Sequence, residues 1–214
     1  MDILFLGASN TDASHCFTAD NLGNGYVKYT SERLFDILSV SGYSLHVTNG
    51  GTDGFTFPRI YEKWKCNYSD LVYDMIVLLG GINEVGMIHN TNMNPEQADV
   101  CLKTSSSSLT ALLHENGIQK SSHIILMEPF LFRSPQFLSL WIPTLEKMRS
   151  LIRNCIDQYH GTAQLHFLPL QQKLEHLAAG KGLSYVSSDG IHLTKEGHQY
   201  VADILSSVIT EFIH

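Results

Sequence analysis

Asp74-Met-Ile-Val-Leu-Leu79, followed at once by Gly80-Gly81, is the stretch on which the fold turns. An apolar run with no polar alternation makes a strand covered on both faces. That is the habit of a parallel sheet with helices on each side. Working outward, Ile3 to Leu6 is a second apolar run ending at Gly7, and Ser44 to Thr48 alternates and ends at Asn49-Gly50-Gly51. Downstream, His123 to Met127 ends at Glu128-Pro129, and Leu165 to Leu168 ends at Pro169. Helical spacing fills the intervals at Tyr26 to Leu38, Pro95 to His114, Leu138 to Tyr159, Gln171 to Ala179 and Thr194 to Ile213. Pro95 suits a first helical turn, and Pro143 marks a break or restart inside the third helix. Thr194 is an acceptable N-cap for the last helix. The alternation predicts an α/β fold: three layers around a five-stranded parallel sheet, with right-handed crossovers.

No linker and no internal repeat interrupts this order, so residues 1–214 are expected to form one domain. The run Ser105 to Ser108 is expected on the polar face of a helix. Hydrophobic residues make up 43% and charged residues 16%, a balance that argues against disorder. The 14 Lys and Arg form no cluster and are outnumbered by 21 Asp and Glu, which disfavours nucleic acid and anionic membrane surfaces as partners. The apolar stretch Met75 to Ile82 falls well short of the ~20 residues of a membrane span. Asp2 precedes an apolar run of only Ile3 to Leu6, which is unlike a signal peptide, so a cytoplasmic location is expected. Cys16, Cys66, Cys101 and Cys155 are too far apart for a Cys-x-x-Cys pair and are expected to be free thiols.

Ligands of open α/β sheets bind outside the carboxyl ends of the strands. That rule nominates five loops: Gly7-Ala8-Ser9 after the first strand, Asn49 to Thr56 after the second, Gly80 to Glu84 after the third, Glu128-Pro129-Phe130 after the fourth, and Ser188 to Thr194 before the last helix. One supplies a serine hydroxyl and another a side-chain amide. The last supplies Asp189 three residues before His192. Nucleophile, base and orienting acid together activate a serine. Read singly, each has a plainer alternative: a turn serine, a structural histidine, an Asx turn at Asp189-Gly190.

Taken together, these loops resemble the SGNH hydrolases, also called the GDSL esterase/lipase family. Ser9, Gly54, Asn83 and the Asp189/His192 pair stand where that family carries Gly-Asp-Ser, a glycine, Gly-x-Asn-Asp and Asp-x-x-His. Leu22 to Val27, Lys63-Trp64, Met127 to Phe130 and Asp189 to Thr194 are similar to a bacterial branch that includes intracellular acetyl-xylooligosaccharide esterases. The resemblance implies a three-layer, flavodoxin-like fold and no cofactor. It implies Ser9 as nucleophile, His192 as base and Asp189 as orienting acid. Ser9 N–H, Gly54 N–H and the Asn83 amide would form the oxyanion hole. Ala8 stands where the family has aspartate, and Glu84 where it has a second.

The implied reaction is hydrolysis of a small-molecule carboxylic ester through an acyl-Ser9 intermediate, with an acetyl or short acyl group. Longer-chain lipase, lysophospholipase or thioesterase activity is the alternative, and a non-catalytic binding module on the same fold stands further off. Trp64, Phe130 and Arg133 are candidates for lining the substrate cleft, with packing an equal alternative for Trp64. No metal site is expected: Asp189, His192 and His198 alone make no ligand cluster. Gly-x-Ser-x-Gly, Gly-x-Gly-x-x-Gly and the P-loop pattern are absent.

Overall fold

Alternate residues of the first strand face opposite layers, and that sorts the whole core. The computed structural model describes residues 1–40, 42 and 44–213. Its strands are β1 (Asp2–Gly7), β2 (His46–Gly51), β3 (Met75–Leu79), β4 (His123–Met127) and β5 (Gln164–Leu168). They pair in the order β2-β1-β3-β4-β5, every pair parallel. This is the flavodoxin-like order, whose switch point lies between β1 and β3. The helices are α1 (Ser9–Asp12), α2 (Tyr26–Val40), α3 (Phe57–Asn67), α4 (Ile82–Asn90), α5 (Pro95–Leu113), α6 (Asn116–Gln119), α7 (Ile142–Asp157), α8 (Gln171–Lys181), α9 (Leu183–Val186) and α10 (Lys195–Ile213).

Leu4, Leu6, Ile76, Leu78, Ile124 and Leu126 point to one side and pack on α3, α4, α5 and α7. Ile3, Phe5, Met75, Val77, Ile125 and Met127 point to the other and pack on α2, α8 and α10. The period of two therefore feeds two apolar layers, and β3 is buried throughout. Register then levels the carboxyl ends: Gly7 pairs with both Gly51 and Leu79, and Leu79 pairs with Met127. The loops after β1, β2, β3 and β4 thus begin side by side. Gly7 must lack a side chain, because a Cβ there would run into Thr11 and the Leu79 carbonyl.

Pro143 lies in the first turn of α7, behind a 3-10 turn at Gln136–Trp141, as a restart requires. The Thr194 hydroxyl accepts the Gly197 N–H at 3.1 Å, capping α10. The serine run is not wholly polar surface: Ser105 is buried against the sheet side of α5, while Ser107 is exposed. All four cysteines are free. Among the described residues, no helix is long and apolar enough to cross a membrane.

Candidate active site

Ser9 opens α1 immediately beyond β1, so its side chain stands at the carboxyl edge of the sheet. Its Oγ lies 2.9 Å from His192 Nε2, and His192 Nδ1 lies 2.6 Å from Asp189 Oδ2. Asp189 serves two purposes at once. Oδ1 accepts the N–H groups of Ile191 (2.9 Å) and His192 (2.7 Å), closing an Asx turn, while Oδ2 takes the ring. Burial works against the charged carboxylate, but the His192 ring and the two N–H groups outweigh it, and the Asp189 pKa lies below the usual range. A carboxylate at Nδ1 fixes the proton there and leaves Nε2 free to accept from the Ser9 hydroxyl.

The two ends of this relay are tied by a residue that sequence reading passes over. Buried Asn10, next to the serine, donates from Nδ2 to the Ile191 carbonyl at 3.0 Å and accepts the Leu193 N–H on Oδ1 at 2.9 Å. One amide therefore carries the histidine loop on the serine helix. Gly190 has φ +91°, and its carbonyl accepts the Phe132 N–H at 2.9 Å, joining the same loop to the segment after β4.

Three candidate donors lie on the loops at this edge. As the first residue of α1, Ser9 has an N–H that the helix itself does not use. Gly54 is the third residue of a turn closed by Phe55 N–H to the Thr52 carbonyl at 3.2 Å, and its φ of +71° is one that other residues rarely adopt. Asn83, in the first turn of α4, donates one Nδ2 hydrogen to the Phe55 carbonyl at 2.9 Å and keeps a second. Its neighbour Glu84 is fully buried. Glu84 Oε1 accepts the Phe57 N–H at 2.6 Å, and Oε2 has no partner. Burial pushes the Glu84 carboxyl up. Asn83 and Glu84 together hold the far end of the Gly54 turn.

A small cavity opens beside Ser9, with room for the centre of about one water-sized sphere, about 10 Å³. Besides Ser9, Asn10 and Thr11, its walls are the apolar Ala8, Leu79, Gly80, Ile82, Pro129 and Phe130. Ala8, where the family has aspartate, makes one wall apolar. The Pro129 wall is braced from behind. Buried Arg149 donates to the Pro129 carbonyl from Nε (3.0 Å) and Nη2 (2.9 Å), and lies 3.3 Å from the buried Glu128 carboxylate.

The structure thus brings Ser9, Asp189, His192, Gly54, Asn83 and Phe130 to one edge. Trp64 does not join them. It is 0% exposed, on the face of α3 that packs into the core beside Gly117 and Tyr68, so it cannot line the cleft. Arg133 is exposed in the segment after β4 and lines no wall of the cavity. Lys63, next to Trp64 in sequence, does reach the site loops, donating from Nζ to the Gly51 carbonyl (2.9 Å) and Thr52 Oγ1 (2.6 Å). His198 is buried on α10 and accepts the Tyr26 N–H at Nδ1, a structural use. Among the described residues, no three His, Cys, Asp or Glu side chains group as metal ligands.

The sequence family described as GDSL-like lipase/acylhydrolase matches residues 3–205. No curated protein matches the chain. Among solved structures, a GDSL-like lipase from Parabacteroides merdae superposes with a TM-score of 0.80 at 22% identity, covering 96% of this chain and 94% of that one. A catalytic mutant of Axe2, an acetylxylan esterase from Geobacillus stearothermophilus, gives 0.79 at 20% identity, covering 97% and 93%. LAE5, described as an alpha/beta hydrolase enzyme from the metagenome of Lake Arreo, Spain, gives 0.75 at 19% identity, covering 97% and 94%. At these identities the likeness is one of fold.

Proposed function

Because the chain belongs to the GDSL-like lipase/acylhydrolase family and is a hydrolase of ester bonds, we propose that it is a serine esterase that removes acetyl or similarly short acyl groups through Ser9. The observation that carries this reading is the unbroken relay from Ser9 Oγ to His192 Nε2 (2.9 Å) and from His192 Nδ1 to Asp189 Oδ2 (2.6 Å). Ser9 Oγ attacks the ester carbonyl while His192 Nε2 takes its proton, and Asp189 stabilises the imidazolium. Negative charge moves to the carbonyl oxygen, which the Ser9 N–H, Gly54 N–H and Asn83 amide receive. Collapse expels the alcohol, protonated by His192. Water then repeats the cycle on the acyl-serine, releasing the acid and restoring Ser9.

The cavity beside Ser9 supports a short acyl group. Its room of about 10 Å³ suits a methyl-sized group, and its apolar walls suit a methyl rather than a polar one. Pro129, braced by Arg149, resists the displacement that a longer chain would demand. An acetylated carbohydrate is the substrate class we favour, as in the acetylxylan esterase of similar fold.

The test is turnover on aryl esters from acetate to octanoate, together with labelling by a fluorophosphonate. Acetate should give the highest kcat/KM, with a steep fall by butyrate. Ser9→Ala should abolish both turnover and labelling while leaving the melting temperature close to wild type. A maximum at octanoate would replace the short-acyl reading with a lipase-like one. Failure to label the wild type would leave a binding module.

A further inference from the structure

Two of the three oxyanion donors are backbone N–H groups on separate loops, and nothing in the Ser9–His192–Asp189 relay fixes one relative to the other. We propose that Asp12 is a positioning residue for this reaction: its carboxylate locks the Gly54 turn onto the Ser9 helix, so that both N–H groups reach one oxyanion. The role rests on the serine-esterase reading above.

Asp12 closes α1, three residues after Ser9, and each of its oxygens is committed to a different segment. Oδ2 accepts the Asp53 N–H at 3.0 Å, on the residue just before Gly54. Oδ1 accepts from His15, from the ring Nδ1 at 2.6 Å and from the backbone N–H at 3.3 Å. His15 therefore holds the carboxylate by one oxygen while the other holds the turn. The side chain is partly covered, at 21% exposure, which strengthens these contacts relative to a fully solvated carboxylate.

The other restraints on the turn fall on either side of Asp53 and Gly54. Space around the Gly54 Cα is open, with nothing within 4 Å of where a Cβ would lie. Upstream, Lys63 grips the chain at Gly51 and Thr52, and the Thr52 N–H donates to the Gly7 carbonyl at 3.0 Å; downstream, Asn83 and Glu84 grip it at Phe55 and Phe57. Asp12 supplies the side-chain hold between them, and it runs directly from the nucleophile's own helix. An oxyanion donor works only within about 2.7–3.1 Å of the charge it receives. A displacement of about 1 Å can cost about a hundredfold. Asp12 should consequently act on the transition state more than on substrate binding.

The experiment compares wild type, Asp12→Ala, Asp12→Asn and Asp53→Pro for kcat and KM on an aryl acetate, with fluorophosphonate labelling and thermal melting alongside. Asp12→Ala should lower kcat by about ten- to a hundredfold with KM changed less than about twofold. Asp12→Asn keeps one amide oxygen for the Asp53 N–H but loses the second acceptor that His15 holds, and should give a kcat between those of Asp12→Ala and wild type. Asp53→Pro removes the N–H itself at a turn position that proline tolerates, and should reproduce the Asp12→Ala loss even if that variant fails to fold. Wild-type kcat in folded Asp12→Ala or in Asp53→Pro, or a loss seen only in KM, overturns the positioning role while a labelled wild type keeps the esterase reading. A wild type that neither labels nor turns over overturns both.

Discussion

Asn83 carries two amide hydrogens, and one of them is already placed on the Phe55 carbonyl at 2.9 Å. The bond that orients the amide leaves its other hydrogen, which in the proposed reaction would meet a charge that develops only in the tetrahedral state. Removing one such donor typically costs about 100- to 1,000-fold in turnover, roughly 2.7–4 kcal/mol. Asn83→Ala should therefore cut kcat by that order with KM little changed, in steady-state kinetics on an aryl acetate. Asn83→Asp should do worse, since a carboxylate would face both the Phe55 carbonyl and the forming oxyanion. A rise in KM with kcat intact would move Asn83 to the substrate-contact surface. At this scale the sequence is readable where chemistry and loop position coincide, as at Ser9, Asn83, Asp189 and His192. Asn10, Asp12 and Arg149 are not readable, because their partners are backbone groups of remote loops that only folding brings near. Trp64 misleads for the converse reason. An aromatic side chain beside the site in sequence turns out to face inward on α3.

The turn that presents Gly54 is short, and its backbone state matters more than its side-chain space. With φ at +71° and open space around it, Gly54→Ala would clash with nothing but would force an L residue into the left-handed region. The cost is about 1–2 kcal/mol, or else the turn relaxes and its N–H swings away. Gly182, at φ +92° between α8 and α9, is an internal control, because it too has open space. Both Gly→Ala changes should lower stability in urea denaturation, Gly54→Ala by about 1–2 kcal/mol and Gly182→Ala, whose ψ of 149° lies in a region nearly reserved for glycine, by about 1–3 kcal/mol, while only Gly54→Ala should also lower kcat. Equal kcat in the two variants would remove the Gly54 N–H from the oxyanion hole. Among the elements, the buried strands are the most legible, since β3 and β4 announce themselves by unbroken apolar runs. On the edge, β2 starts at His46 and includes Gly50 and Gly51, which read as a turn, because parallel pairing with Leu6 and Gly7 needs only their backbones. The helices α3 and α4 escape sequence reading. Each begins inside a loop that looks functional, at Phe57 and at Ile82, and each is short.

Across the whole molecule, one buried side chain links the last helix to the first loop. His198 on α10 is 8% exposed, accepts the Tyr26 N–H at 3.2 Å at the start of α2, and stacks near the Tyr26 ring. The Tyr26 hydroxyl in turn meets Thr11 Oγ1 at 2.7 Å, two residues from Ser9. The order of the strands foretold a shared sheet edge, but no pattern in the sequence foretold this connection, which depends on two helices closing over β1. Burial first, and the nearby His192 second, pull the His198 pKa from about 6.5 down to about 4. A histidine kept neutral in the fold but free to protonate when unfolded contributes stability that is full above about pH 6.5. That stability is lost as pH falls toward about 4, because the unfolded chain binds the proton first. The full effect of such a shift is roughly 3 kcal/mol. His123 and His166, also pulled down by burial, add in the same direction, whereas Asp189, held below the usual carboxylate range, acts only at lower pH. Urea denaturation between pH 7 and 4.5 should thus show a loss of stability, offset in part by buried Glu84, whose raised carboxyl pKa makes the fold take up a proton first and so works in the opposite sense. His198→Asn, which keeps an acceptor for the Tyr26 N–H but cannot take a proton in this range, should begin less stable at pH 7 and fall less steeply. An unchanged slope in that variant would mean that the acid sensitivity of the fold lies with the other histidines and that His198 is already protonated, or already exposed, well above pH 4.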